Sequence, residues 1–129
     1  MTVELAYLAA SIVLVFVQVM LAAAAATRVR GRDWNAGPRD APAAPLGPVG
    51  GRLERAARNV LETFPLFAAA VLTAHAADAQ SWLSVAGASL YFWGRLVYLP
   101  LYVLGIPYIR SLVWMVATAG IFLILAALI

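Results

Sequence analysis

Four apolar stretches account for most of the chain and limit what it can fold into. Each is close to the roughly 20 residues that an α-helix needs to cross the hydrocarbon core of a bilayer. Lipid cannot satisfy backbone polar groups, and the stretches lack the alternating pattern of a barrel strand. Helices are therefore expected over Val3 to Ala26, Asn59 to Ala77, Trp82 to Leu104 and Ser111 to Ile129.

Composition supports the same class, because 64% of the residues are hydrophobic and only 12% are charged. These values lie far from the soluble-domain average. We predict an all-α integral membrane protein, a single four-transmembrane-helix bundle over residues 1–129. Its helices are expected at about 3–26, 56–77, 82–104 and 110–129, with a loop at 27–55.

The residue inventory narrows the chemistry. The chain has no cysteine, which excludes disulfides, thiol catalysis by the protein itself and zinc–thiolate sites. The single histidine, His75, argues against a histidine-based metal cluster. We expect no metal cofactor and no nucleic-acid partner.

The first stretch has a second interpretation as a signal peptide, with the alanines at 22–26 as a cleavage region. A signal peptide needs a basic start and a short apolar core. Here the first charge is Glu4, the apolar core is long, and the arginines follow it. We therefore interpret this stretch as a membrane helix.

The connections between the stretches differ in charge. Residues 27–58 hold seven of the nine arginines, and the connection "GIPYIR" ends in Arg110. The intervening connection "HAADAQS" has no arginine or lysine. Because positive loops stay cytoplasmic, we predict basic loops inside and both termini outside, in a bacterial inner membrane.

Two of the predicted helices carry polar stripes. The segment "RAARNVLETFPLFAAAVL" opens with polar residues that fall within about 100° of arc on a helix. The third helix repeats the arrangement within roughly 60°. Both stripes lie toward the basic side of the membrane, so they can meet. They consist of Arg55, Arg58, Asn59 and Glu62 on the second helix and Tyr91, Arg95, Tyr98 and Tyr102 on the third.

A charged residue at mid-helix costs about 3 kcal/mol on the insertion scale, so Glu62 and Arg95 are not expected to face lipid. One possibility is a structural clasp in which Glu62 pairs with Arg58 or Arg95. The other is a ligand site, because arginines outnumber the nearby acids. Excess bidentate donors beside one carboxylate suit a small ligand with carboxylates and an ammonium group.

The segment "RAARNVLETFPLF" resembles the second-helix signature of the membrane-associated proteins in eicosanoid and glutathione metabolism. This superfamily holds microsomal glutathione transferases and membrane prostaglandin E synthase. The matching residues are Arg55, Asn59, Glu62 and Pro65. In "RLVYLPLYVLGIPYIRS" the resemblance continues at Arg95, Tyr102, Arg110 and Ser111.

The resemblance implies a homotrimer of four-helix subunits that takes a lipophilic substrate from the surrounding membrane lipids. It implies glutathione as co-substrate, held between subunits, for a transferase or peroxidase reaction. Arg110 is the candidate that stabilises the glutathione thiolate, with Ser111 as a second donor. The candidate glutathione-binding residues are Arg55, Arg58, Asn59, Glu62, Arg95, Tyr98 and Tyr102.

Departures from the family pattern, and two alternatives, remain. Ala57, Val60 and Tyr98 stand where some members carry a histidine, an acid and a histidine. The superfamily also contains a noncatalytic lipid-binding member, so membership alone does not prove an enzyme. The third possibility is a small four-helix multidrug transporter that uses Glu62, although the surrounding arginines would repel a cationic substrate.

Overall fold

The computed structural model describes residues 1–129 and contains five helices and no strand. Four helices are long and one is short. They are α1 (Val3–Arg30), α2 (Arg32–Ala36), α3 (Gly47–Ala76), α4 (Trp82–Val103) and α5 (Ile109–Ala126).

Two helices are long and apolar enough to cross a membrane by length and composition. They are α1, with a mean hydropathy of 2.4, and α5, with a mean hydropathy of 2.0. The four long helices match the number of apolar stretches, but α3 and α4 do not reach this level. The physical reason is that both carry polar stripes, which lower the mean hydropathy of a helix whatever direction the stripes face.

The loop predicted over 27–55 is wrong over much of its length. Helix α1 continues to Arg30, α2 forms at Arg32–Ala36, and α3 already begins at Gly47. The four prolines and five glycines within residues 27–58 favour an irregular loop, but Pro48 lies in the first turn of α3, where its missing N–H costs no hydrogen bond. Only residues 37–46 separate α2 from α3.

The tightest helix pair is α4 and α5, which approach through small residues. A Cβ atom built at Gly94 would lie 2.8 Å from the Cβ of Ala117. One built at Gly120 would overlap the carbonyl oxygen of Gly87 and lie 3.0 Å from the backbone nitrogen of Tyr91. Small residues at such positions let helix backbones pack closely in lipid.

The core lies where α3 meets α4. The rings of Phe67 and Tyr91 stack with centroids 4.0 Å apart, and both residues are buried. The Tyr91 hydroxyl forms a 3.0 Å hydrogen bond with the Thr63 hydroxyl. Leu8 from α1 and Ile124 from α5 pack into the same cluster. Tyr91, one of the predicted stripe residues, therefore belongs to the core.

Helix α1 buries three polar side chains despite its high mean hydropathy. Glu4, Ser11 and Gln18, each seven residues from the next, are all buried. The Glu4 carboxylate accepts a hydrogen bond from the Ser84 hydroxyl of α4. This bond ties the first turn of α1 to the first turn of α4 and fixes how the two helices align.

We predict that Gly120→Leu lowers the free energy of unfolding by about 1–3 kcal/mol, because added side-chain atoms force α5 away from α4. Thermal unfolding in detergent measures the effect. The matched control is Ala119→Leu on the exposed face of the same helix, with a change within about 0.5 kcal/mol. Equal losses in both variants would contradict the close packing.

Candidate functional site

A cavity of about 390 Å³ lies at the end of the bundle where α3 begins and α4 ends. We call it the arginine cavity. Three helices supply its walls, and three of its seven lining residues are arginines. The lining consists of Arg55, Arg58, Asn59 and Glu62 of α3, Tyr98 and Tyr102 of α4, and Arg110 of α5.

A smaller cavity of about 160 Å³ adjoins the arginine cavity and shares Asn59, Tyr98 and Arg110 with it. Its remaining lining residues are Ser111 and Trp114 of α5. The hydroxyl of Ser111 is therefore placed beside the same region as the guanidinium of Arg110. We call this second space the α5 cavity.

Helices α3 and α4 are antiparallel and joined by three hydrogen bonds between side chains, one per turn of α3. Arg55 Nε donates to Tyr102 Oη at 3.1 Å, and Arg95 Nη1 donates to Asn59 Oδ1 at 2.8 Å. The third bond is that between the Thr63 and Tyr91 hydroxyls. Because the α3 partners are four residues apart, they lie on one helix face. The two polar stripes were predicted to meet, and these hydrogen bonds are the contacts through which they do so.

Arg95 lies behind the arginine cavity and does not line it. Its side chain is only 1% exposed, and its guanidinium carbon lies 4.5 Å from the centroid of the Tyr98 ring. Its Nε and Nη2 atoms have no hydrogen-bond partner. Since Asn59 Oδ1 accepts from Arg95, the amide NH₂ of Asn59 is left to donate elsewhere.

Tyr102 lies between two arginines. The guanidinium carbon of Arg110 is 4.6 Å from the centroid of the ring, and that of Arg55 is 6.0 Å from it. Both distances allow cation–π attraction, which holds the two cations near each other without an acid between them. The phenol thus positions two guanidinium groups in the same wall.

The cavity keeps a net positive charge. The one salt bridge of the chain joins Arg30 to Glu54 at 3.7 Å, outside the cavity. Glu62 is exposed and pairs with neither Arg58 nor Arg95, so of the two alternatives the structural clasp is not formed. Three guanidinium groups and one carboxylate therefore line the cavity without neutralising one another in ion pairs.

The start of α5 adds to this positive character. Tyr108, the residue that precedes the helix, provides no side-chain cap. The backbone N–H of Ile109 donates to the carbonyl oxygen of Pro107, but those of Arg110 and Ser111 have no backbone partner. Arg110 and Ser111 lie in this first turn. Free N–H groups and the helix dipole both favour an anion at such a position.

Two residues near the site were not predicted to belong to it. Trp114 lines the α5 cavity one turn after Arg110, and its indole nitrogen is buried without a partner. Thr63, one turn after Asn59, extends the row of α3–α4 contacts. Trp114 and Thr63 lie four residues after Arg110 and Asn59, and this helical spacing could have indicated that both lie on the side of the site.

The fold and the cavity define a helical membrane-type bundle with an arginine-lined, solvent-open site at one end. The family model described as MAPEG family matches residues 7–129, essentially the whole chain, so the chain belongs to the MAPEG family. This confirms the resemblance. Membership makes it a membrane protein of the glutathione and eicosanoid metabolism type. No match was found among curated proteins or among solved structures.

We predict that Asn59→Leu lowers the free energy of unfolding by about 1–3 kcal/mol, because it leaves the buried guanidinium of Arg95 without any hydrogen-bond acceptor. The double variant Asn59→Leu/Arg95→Met recovers most of this loss, since the uncompensated cation is gone. Thermal unfolding in detergent compares the two. A double variant as unstable as Asn59→Leu alone would show that the unpaired Arg95 cation does not cause the loss of stability.

Proposed function

We propose that this protein is a membrane-bound, glutathione-dependent transferase or peroxidase that acts on lipophilic electrophiles. The observation that carries the proposal is the unpaired charge of the arginine cavity, three guanidinium groups and one carboxylate. Glutathione has the complementary set of groups, two carboxylates, one ammonium, two amides and a thiol. Its net negative charge suits a net positive cavity.

Each group of glutathione has a candidate partner in the lining. Arg55 and Arg58 are candidates for the carboxylates because guanidinium forms bidentate pairs with them. Glu62 is the one carboxylate available for the ammonium group. Amide and hydroxyl donors for the peptide groups come from Asn59, Tyr98 and Tyr102. Arg95 acts through Asn59 as a positioning residue, a change from the direct contact expected from the sequence.

The thiol is activated at the start of α5. A cation beside the sulfur favours the thiolate, which is the reactive form of the thiol. Arg110 lines both cavities and is our candidate for this cation. The hydroxyl of Ser111 is a second donor to the sulfur, and the helix dipole supports the same negative charge.

The chemistry then follows from the thiolate. In the transferase reaction the thiol proton passes to water, the sulfur forms a bond to the electrophilic carbon, and the leaving group departs with the electron pair. In the peroxidase reaction two glutathione molecules are oxidised to the disulfide, while a lipid hydroperoxide is reduced to the alcohol and water. Both reactions use the same stabilised thiolate.

An apolar groove of about 360 Å³ between α4 and α5 supports a lipophilic substrate. Six of its eight lining residues are hydrophobic, and Leu112 and Val113 of this wall directly follow Ser111 in α5. Exposed Trp93, Val97 and Val116 place the groove on the outer surface of the bundle. A hydrophobic substrate can thus approach Ser111 and Arg110 from the bilayer.

Assembly and orientation form part of the same proposal. All four long helices span the membrane, with both termini outside and the arginine-rich end in the cytoplasm of a bacterial cell. The chain forms a homotrimer in which a neighbouring subunit completes the site. The exposure of Arg55, Arg58 and Glu62 in the single chain supports this arrangement, because charged groups at a helix end need water, ligand or a partner around them.

The transporter alternative is disfavoured by the position of Glu62. Its carboxylate shares the cavity with Arg55, Arg58 and Arg110, and these guanidinium groups would repel a lipophilic cation. A noncatalytic ligand-binding protein would use the same cavity. Binding and turnover measurements separate it from the enzyme.

For Arg110→Ala we predict the loss of thiolate absorbance in the glutathione complex and a fall of about 100-fold in conjugation of an activated aryl chloride. The reason is the loss of the cation that stabilises the sulfur anion. Ultraviolet difference spectra and product formation in detergent measure both quantities. Arg39→Ala removes an arginine outside both cavities and serves as the matched control.

Three outcomes are informative in that experiment. If wild-type protein binds no glutathione, the proposed function is wrong. If it binds glutathione without turnover, the noncatalytic alternative is correct. If Arg110→Ala and Arg39→Ala lose equal activity, the assignment of Arg110 is wrong.

Glu62→Gln is predicted to weaken glutathione binding by about 10-fold or more, because a charge-assisted hydrogen bond to the ammonium group is lost. Isothermal titration in detergent compares glutathione with an analogue whose amino group is replaced by hydrogen. The analogue should bind wild type and Glu62→Gln with similar affinity. A variant that weakens both ligands equally would assign Glu62 a different role.

A further inference from the structure

The connection between α4 and α5 is short and strained. Only residues 104–108 separate the last residue of α4 from the first residue of α5, and they reverse the direction of the chain. Two residues of this connection have a positive φ, Gly105 at 72° and Tyr108 at 53°. Glycine adopts such a conformation without cost, whereas a bulky residue does not. The strain therefore lies at Tyr108.

The backbone around Tyr108 forms a γ-turn. Tyr108 has a ψ of −60°, and the N–H of Ile109 donates to the carbonyl oxygen of Pro107 at 2.6 Å. A hydrogen bond across one residue of positive φ and negative ψ belongs to the rare and strained form of this turn. The side chain of Tyr108 does not offset the strain by packing, because it is 86% exposed.

The α4 side of the turn is held in place. The N–H of Ile106 donates to the carbonyl oxygen of Leu101 at 3.1 Å, which closes α4 in a Schellman motif around Gly105. Arg52 of α3 ties down this end of α4, since its Nη1 atom donates to the carbonyl oxygen of Val103 at 3.1 Å. The surroundings thus impose the turn, which is the condition under which backbone strain persists.

On the other side, the turn sets where α5 begins. The carbonyl oxygen of Tyr108 accepts a hydrogen bond from the N–H of Leu112 at 2.9 Å, and this bond opens the hydrogen-bond ladder of α5. Arg110 and Ser111 lie between these two residues, so the turn determines the direction in which both project. Both line the α5 cavity, and the guanidinium carbon of Arg110 lies 4.6 Å from the centroid of the Tyr102 ring.

We propose that Tyr108 is a positioning residue whose strained turn fixes the first turn of α5, so that Arg110 and Ser111 face the sulfur of glutathione. This inference rests on the proposed function and adds to it a residue that lines neither cavity. Backbone strain concentrates at functional sites, where the geometry that it imposes is part of the mechanism. In an exposed connection without such a role, glycine at this position would relieve the strain.

The test compares three substitutions of Tyr108 in the full-length protein. Tyr108→Phe keeps the ring and the backbone preference, Tyr108→Gly accepts the positive φ without strain, and Tyr108→Val does not, because a β-branched residue is an outlier in this region. The first two variants should keep the thiolate absorbance of bound glutathione at its wild-type pH. Tyr108→Val should move the midpoint of that absorbance about one pH unit higher and lower conjugation at neutral pH roughly tenfold.

Two readouts separate positioning from a general loss of structure. The KM for glutathione should stay nearly unchanged in Tyr108→Val, because Arg55 and Arg58 lie on α3 and are not displaced. Hydrogen exchange at the N–H of Leu112 should be faster in Tyr108→Val than in wild type, because its acceptor is the carbonyl oxygen of Tyr108.

Leu104 offers the matched control. It is 70% exposed in the same connection but has an ordinary φ of −74°. Leu104→Val should leave the thiolate absorbance unchanged. Leu104→Gly should lower the thermal midpoint in detergent, whereas Tyr108→Gly should keep or raise it, since only the second substitution removes strain.

Three results would overturn the proposal. The first is a wild-type thiolate midpoint in Tyr108→Val, and the second is a loss of thiolate absorbance in Tyr108→Phe or Tyr108→Gly, which would assign the role to the side chain. The third is a lower thermal midpoint in Tyr108→Gly than in wild type. If wild type binds no glutathione, the proposed function fails instead, and unchanged exchange at Leu112 in Tyr108→Val would separately overturn the positioning role.

Discussion

The structure depends on one cation, Arg95, that is buried away from both water and lipid. Arg95 lies inside the bundle with Asn59 as its one hydrogen-bond partner and Tyr98 under its guanidinium group. A buried guanidinium group without a partner would cost several kcal/mol. Helix α3 must therefore pack against α4 at the position of Arg95, so that Asn59 can accept its hydrogen bond. The bonds one turn above and below then follow from helical spacing. The register that satisfies Arg95 is also the register that assembles the arginine cavity.

The adjoining face of α4 imposes a second constraint. Gly87 and Gly94 allow α5 to pack closely, and this approach brings the start of α5 beside the end of α4. Arg110 reaches Tyr102 only because of that approach. Close packing and a polar bond on adjoining faces of α4 therefore act together on the same site. Small residues in the helix interface are part of the site even though none of them lines it.

Helical periodicity explains which parts of the site could be predicted. Residues spaced three and four apart share a face whatever surrounds the helix, so the two stripes were visible in the sequence. Periodicity does not tell which residue of a stripe lines the cavity and which lies behind the lining. Arg95 was grouped with the lining residues, but the structure buries it behind Asn59. The line of Glu4, Ser11 and Gln18 was missed because three polar residues barely alter the mean hydropathy of so apolar a helix.

The nine basic residues are all arginines, and the structure divides them by the groups they contact. Arg30, Arg39, Arg52 and Arg95 hold the protein together through carbonyl or amide oxygens. Those that line cavities have no acidic partner within 4 Å, but their neighbours differ. Around Arg110 lie a carboxylate, an amide and phenols, which suit a small ligand rich in polar groups. Arg28 instead lies among aliphatic side chains. The same cation therefore has different uncharged neighbours at the two places, and these neighbours decide which groups each place can bury.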